Sequence, residues 1–177
     1  MIKVETDVLV VGSGPAGSAM AALLSTYGIK NVVVTKFNWL ARTPRAHITN
    51  QRAMEIFRDL GIEQEMIDKG TPQELMGNNI FCTSLAGEEL GRLYTWGNHP
   101  NRMADFTLAS PTKICDIPQN IVEPILVSTA GMRGSRFRFD TEYVSSEQDE
   151  DGVTATVLDH LTQSTYQIRA KYLIGAD

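Results

Sequence analysis

Residues 8–17 read VLVVGSGPAG. Four apolar residues, Val8 to Val11, stop at Gly12, as a short buried strand stops at a turn. From Pro15 to about Tyr27 the chain is rich in Ala and Leu, with Gly28 placed as a C-cap, so this stretch reads as a helix. Asn31 to Thr35, NVVVT, then forms a second strand of mostly β-branched residues. A strand, a glycine turn, a helix and another strand within about thirty residues open a parallel α/β sheet.

The turn itself, Gly12-Ser13-Gly14-Pro15-Ala16-Gly17, satisfies G-x-G-x-x-G between strand and helix. Gly12 permits the tight bend, Gly14 lets the backbone come close to a pyrophosphate, and Gly17 lets helix and sheet pack closely. Pro15 and Ala16 open the helix, whose N-terminal donors face the phosphate charge. This is the pattern of a dinucleotide site. An acid that accepts ribose hydroxyl bonds is expected at the end of the second strand, but that strand ends Val34-Thr35-Lys36. Thr35 can still bond a ribose hydroxyl, and Lys36 falls near the adenosine end.

Farther along, FNWLARTPRAHI (37–48) is irregular and rich in arginine, and TNQRAMEIFRDLG (49–61) has Ala53, Met54, Phe57 and Leu60 at helical spacing. A shorter helix is expected in IEQEMIDKG (62–70). Between Gly77 and Gly97, β-forming residues surround an AGEE turn, which predicts a hairpin. Ile117, Ile121, Val122, Ile125 and Leu126 make the apolar stripe of a later helix, with Asp116 as its cap, Pro118 in its first turn and a kink expected at Pro124. From Ser135 onward, alternation and turn signals predict an antiparallel meander of about three strands.

At 42% hydrophobic and 21% charged, the 177 residues suffice for one substantial globular core. The formal charge of −5 argues against nucleic acid or an anionic membrane surface as partner. MIKVETD contains acids and no long apolar run, so it is no secretory signal, and no stretch approaches a membrane span. Cys82 and Cys115 read as free thiols of a reducing compartment, and the three histidines lack metal-ligand spacing. A cytoplasmic enzyme without a metal site is expected.

Three segments, VLVVGSGPAG, RTPRAHITNQRAMEIFRDLG and CDIPQNIVEPIL, together resemble the FAD-dependent aromatic hydroxylases of the phenol hydroxylase and p-hydroxybenzoate hydroxylase type. Within that family the resemblance is greatest to the 2,4-dichlorophenol 6-monooxygenase branch. It implies a Rossmann-like FAD-binding α/β fold with an inserted β hairpin and an antiparallel meander. Residues 1–74 would form the FAD-binding βαβ core and cofactor loop, 75–106 the start of a substrate-binding β region, and 107–177 an FAD-binding helix, the meander and the start of a second FAD motif. The closing KYLIGAD (171–177) resembles the opening of that motif, with Asp177 as its acid, so the chain is expected to be the N-terminal part of a longer enzyme that is inactive on its own.

The resemblance also assigns roles. Arg45, in PRAH, would reach the cofactor, with Arg42 nearby; Gln119 would bond the ribityl chain; His47 would orient the phenol or take its proton. The implied reaction uses NADPH or NADH and O2 with FAD to place one oxygen ortho to a phenolic hydroxyl, giving a catechol and water. A homo-oligomer is implied for the longer enzyme. Two other classes stay open on the residues alone: a different FAD-dependent reductase, dehydrogenase or halogenase, and a noncatalytic dinucleotide-binding module.

Overall fold

The computed structural model describes residues 3–177. In chain order its elements are β1 (Lys3–Val11), α1 (Pro15–Thr26), β2 (Asn31–Val34), β3 (Ile48–Thr49), α2 (Gln51–Asp59), α3 (Glu63–Lys69), β4 (Asn79–Cys82) and β5 (Glu89–Leu93). These are followed by α4 (Met103–Ala109), β6 (Cys115–Asp116), α5 (Gln119–Met132), β7 (Arg136–Arg138), β8 (Thr141–Asp149), β9 (Gly152–Asp159) and β10 (Ser164–Gly175). The chain divides into two compact units, one made of the residues up to Arg45 together with Gln119–Asp177, the other of Ala46–Pro118.

The first unit is built on a six-stranded sheet in the order β7-β2-β1-β10-β9-β8. β1 lies parallel to both β2 and β10, β7 is parallel to β2, and β10-β9-β8 continue antiparallel. Central strands covered on both faces are continuous apolar runs, and Val8, Leu9 and Val10 are all buried, as are Val32, Val33 and Val34. Leu9, Val32 and Val34 share one cluster with Val153, Ala155, Val157, Tyr166, Ile168 and Ala170, so the meander packs into the same core as the parallel strands. α1 and α5 lie against one another, and Ser135 Oγ donates to the Ala21 carbonyl at 3.0 Å, joining the end of α5 to α1.

The sheet differs from the sequence expectation in one strand. Arg136–Arg138 belongs to the parallel part beside β2, and the meander proper is β8-β9-β10. Asp140, at φ 50°, separates β7 from β8, a left-handed bend that its short polar side chain tolerates. α1 ends at Thr26, and Gly28, at φ 73°, supplies the left-handed residue after it. α5 runs through Pro124 as a continuous helix.

In the second unit, Asn50 caps α2, its side chain accepting from the Ala53 amide at 2.9 Å. α2 and α3 lie against one another, and Met54, Phe57 and Met66 are their buried residues. β3 and β6 form a two-stranded antiparallel ribbon, and β4 and β5 form the expected hairpin. Asp116 is therefore a strand residue paired with Ile48, which corrects its expected role as a helix cap. Pro118 correspondingly precedes α5 rather than lying in its first turn. Neither the ribbon, two residues to a strand, nor α4, which buries no side chain, leaves a periodic trace in the sequence.

Candidate functional site

A groove of about 810 Å3 opens in the first unit. That is within the range of about 300–1,000 Å3 usual for small-molecule and cofactor sites. Its floor is the carboxyl end of the parallel strands, Val11, Val34 and the residues just beyond β10, where α/β sheets bind ligands. Gly12, Ser13 and Gly14 form one wall, Thr35–Thr43 with Arg45 a second, Gln119 and Glu123 of α5 a third, and Glu142, Tyr143, Ala176 and Asp177 complete the lining.

The glycine turn is held from both sides. Gly12 N–H donates to Val34 O at 2.8 Å, and Ala176 N–H donates to Val11 O at 2.8 Å, so the turn is clamped between the ends of β2 and β10. At φ 104° Gly12 has a backbone that L side chains rarely adopt, and a Cβ there would run into the Ala176 carbonyl. A Cβ on Gly17 would meet the Gly12 carbonyl, so this glycine serves the close packing of helix on turn. Gly14 has open space around its missing Cβ. It is also the N-cap of α1, with no side chain bonding the first-turn donors. The helix start thus offers uncapped N–H groups and its positive end to an anion. A pyrophosphate fits this cradle in chemistry and in shape.

The segment after β2 is anchored to α5. Glu123 is only 3% exposed, and its Oε2 accepts from the Ala41 amide at 2.6 Å while Oε1 accepts from Gln119 Nε2, also at 2.6 Å. Arg42 is bound locally, its Nη2 donating to Asn38 Oδ1 at 2.9 Å. At the far end of β2, Thr35 is buried, its amide donates to Arg138 O at 3.1 Å, and its carbonyl accepts from Thr141 N–H at 2.8 Å. Beside it Glu142, joined to His160 Nε2 at 2.9 Å, brings an acid into the groove from β8.

Of the residues singled out in the sequence, Gly12, Gly14, Thr35, Lys36, Arg45, Gln119 and Asp177 line this groove. Pro15 and Ala16 lie in the exposed first turn of α1, and Gly17 is buried behind the loop. His47 belongs to the other unit. It sits at the start of β3, where its Nδ1 is 2.7 Å from Asp116 Oδ1 and its carbonyl accepts from Ile117 N–H at 2.7 Å. Glu123, Glu142 and Tyr143 were not foreseen. Glu123 had a usable signal, an acid inside an otherwise apolar helical stripe, whereas Glu142 lies in an alternating strand where an acid reads as solvent-facing. No cluster of three or more metal-ligating side chains occurs among the described residues, and no helix among them is long and apolar enough to cross a membrane.

Comparison with known proteins agrees with this geometry. The chain is 62% identical to the 2,4-dichlorophenol 6-monooxygenase of Delftia acidovorans over 98% of its own length and 30% of the relative's. It is 59% identical to the phenol 2-monooxygenase of Pseudomonas sp. (strain EST1001), again over 98% of this chain and 29% of the relative. Among solved structures, the flavin-dependent monooxygenase PieE in complex with FAD and substrate superposes with a TM-score of 0.95 at 44% identity, covering 98% of this chain and 30% of that one. The chain thus spans about 30% of the length of the curated relatives it matches. The family profile described as FAD binding domain matches residues 5–177, and the chain belongs to that family.

Proposed function

We propose that this chain is the FAD-binding part of a monooxygenase that converts phenol or a chlorinated phenol to the corresponding catechol, with NADPH or NADH as electron donor and O2 as oxygen source. The observation that carries the reading is 55–62% identity, over essentially the whole chain, to two 2,4-dichlorophenol 6-monooxygenases and a phenol 2-monooxygenase. FAD supplies the redox chemistry and the activation of oxygen when bound. The protein's share is binding, orientation and exclusion of water.

In this reading Gly12, Gly14 and Gly17 form the pyrophosphate loop, with Pro15 and Ala16 setting the first turn of α1. Arg45 offers a forked cation to a phosphate. Gln119 and Asp177 face the ribityl region, and Thr35 with Lys36 faces the adenosine. His47 takes the phenolic proton. Its imidazole is suited to that task because the Asp116 carboxylate accepts from Nδ1 and leaves Nε2 as the free acceptor. Removing the proton raises electron density at the ortho carbon, which directs oxygen there. A cytoplasmic location and a homo-oligomeric native enzyme complete the proposal.

The test is substrate-dependent NADPH oxidation by the native FAD-loaded protein, with products separated by chromatography. Catechol formed in proportion to NADPH consumed is the expected result. Oxidation of NADPH that yields hydrogen peroxide and no catechol with any phenol overturns the reading.

A further inference from the structure

We infer that Glu123 is a positioning residue for the cofactor: it decides which end of the Gln119 amide is offered to the groove, and it holds the 37–45 segment in place while doing so. The inference rests on the reading that this groove holds FAD.

A glutamine side chain has no intrinsic preference for presenting its oxygen or its nitrogen, since the two ends are nearly the same in shape and differ only in what they bond. The neighbour must choose. Glu123, one helical turn beyond Gln119, is that neighbour, and an ionised carboxylate only accepts hydrogen bonds. It takes the Gln119 NH2 on Oε1 at 2.6 Å, which leaves Gln119 Oε1 as the atom available to a ligand. A polyol or ribose hydroxyl can donate to that oxygen. The other carboxylate oxygen is occupied by the Ala41 amide, 82 residues away in sequence, in the segment that carries Arg42 and Arg45 into the groove.

Both oxygens are therefore committed, at a site almost closed to solvent. An acid is rarely buried so completely unless its bonds are made. An apolar residue at 123 would suit the stripe of α5 equally well for packing. What it could not do is orient an amide and hold a backbone N–H at the same time.

Glu123→Gln tests this with no change of size. Its single oxygen can still accept from Ala41, but its NH2 then faces the NH2 of Gln119 and forces that amide to turn over, presenting a donor to the groove. FAD affinity is measured by quenching of flavin fluorescence on titration into the apo form of the native protein. Glu123→Gln is expected to raise the FAD dissociation constant at least tenfold, and Gln119→Leu, at the partly exposed start of the helix, is expected to do the same. The exchanged pair Gln119→Glu with Glu123→Gln restores an acceptor facing the groove and recovers most of the affinity.

Native-like FAD binding by Glu123→Gln, or by Gln119→Leu, overturns the inference. So does an exchanged pair that binds no better than Glu123→Gln alone, because a purely structural role for Glu123 predicts no rescue. The groove reading stands or falls on a different variant. Arg45→Ala with an unchanged FAD dissociation constant removes that reading and the inference with it, whereas failure of the three variants at 119 and 123 removes the inference alone.

Discussion

The β1-α1-β2 segment and the β4-β5 hairpin are both regular, and both were legible in the sequence, yet they are held in opposite ways. In the first, three successive residues of β1 are buried and the glycine turn is clamped by backbone bonds to the ends of β2 and β10. In the second, every residue of β4 is exposed, with Ile80 and Phe81 about half open and Leu85 at the turn wholly so. Central parallel strands are usually covered on both faces. A hairpin can form on local turn chemistry and cross-strand bonds alone. Regular backbone is therefore a poor guide to where stability resides, and side-chain burial is a better one.

The largest effect expected from this contrast is at Gly12. Gly12→Ala combines backbone strain of about 1–3 kcal/mol with overpacking of about 1–3 kcal/mol against the Ala176 carbonyl. Denaturant unfolding of the native protein and its retained flavin absorbance should fall together; a variant that keeps its FAD and its midpoint breaks the account of the turn. Leu9→Ala comes next, since deleting a fully buried side chain typically costs about 2–5 kcal/mol. A cost below about 1 kcal/mol would mean that the central strand is not the core.

Arg45→Ala leaves the fold alone and is expected to weaken FAD binding by the worth of a hydrogen bond to a charged group, about 1.5–3 kcal/mol. Unfolding curves that stay in place while the flavin titration shifts would confirm the separation of roles.

The two cysteines sharpen the comparison within the second unit. Burial raises the Cys115 thiol to about 11, with Asp116 adding to the shift, and its Sγ lies against the Met66 carbonyl. A raised thiol pKa means less thiolate, and about one part in a thousand is reactive at pH 8 by the ordinary titration relation. Cys82, on the exposed hairpin, should be alkylated readily by iodoacetamide in the folded protein, and Cys115 only on unfolding. The stability associated with the protonated Cys115 thiol is complete below the unfolded thiol range and is lost as pH rises toward 11. Equal labelling of the two thiols at pH 8 would contradict the burial of Cys115.

The smallest effect is expected at Leu85, where Ala should change stability by no more than about 0.5 kcal/mol. A loss above about 1 kcal/mol in the native protein would show that some further surface covers the hairpin tip.

Local rules made the glycine turn, the two strands around it, the amphipathic α2 and the hairpin readable, because each is specified within one period or one turn of its own residues. The same rules misplaced Asp116. A carboxylate immediately before a helical stripe looks like a cap, and only the pairing of β6 with β3 makes it a strand residue whose side chain meets His47. Arg136–Arg138 was absorbed into the meander for a similar reason, since alternation does not say which neighbour a strand will choose.

By itself the sequence determined the dinucleotide turn, its glycines and the parallel opening of the sheet, because these depend on backbone conformations that few residues permit, whereas FAD as the cofactor followed from the family resemblance of three segments. Tertiary structure alone decided that the meander returns beside β1, that Ala176 closes over Gly12, that Glu142 enters the groove where β2 offers no acid, and that Glu123 holds both Gln119 and Ala41. Those contacts join residues far apart in the chain, and no local propensity encodes them. They become fixed only when burial in a common core brings their elements together.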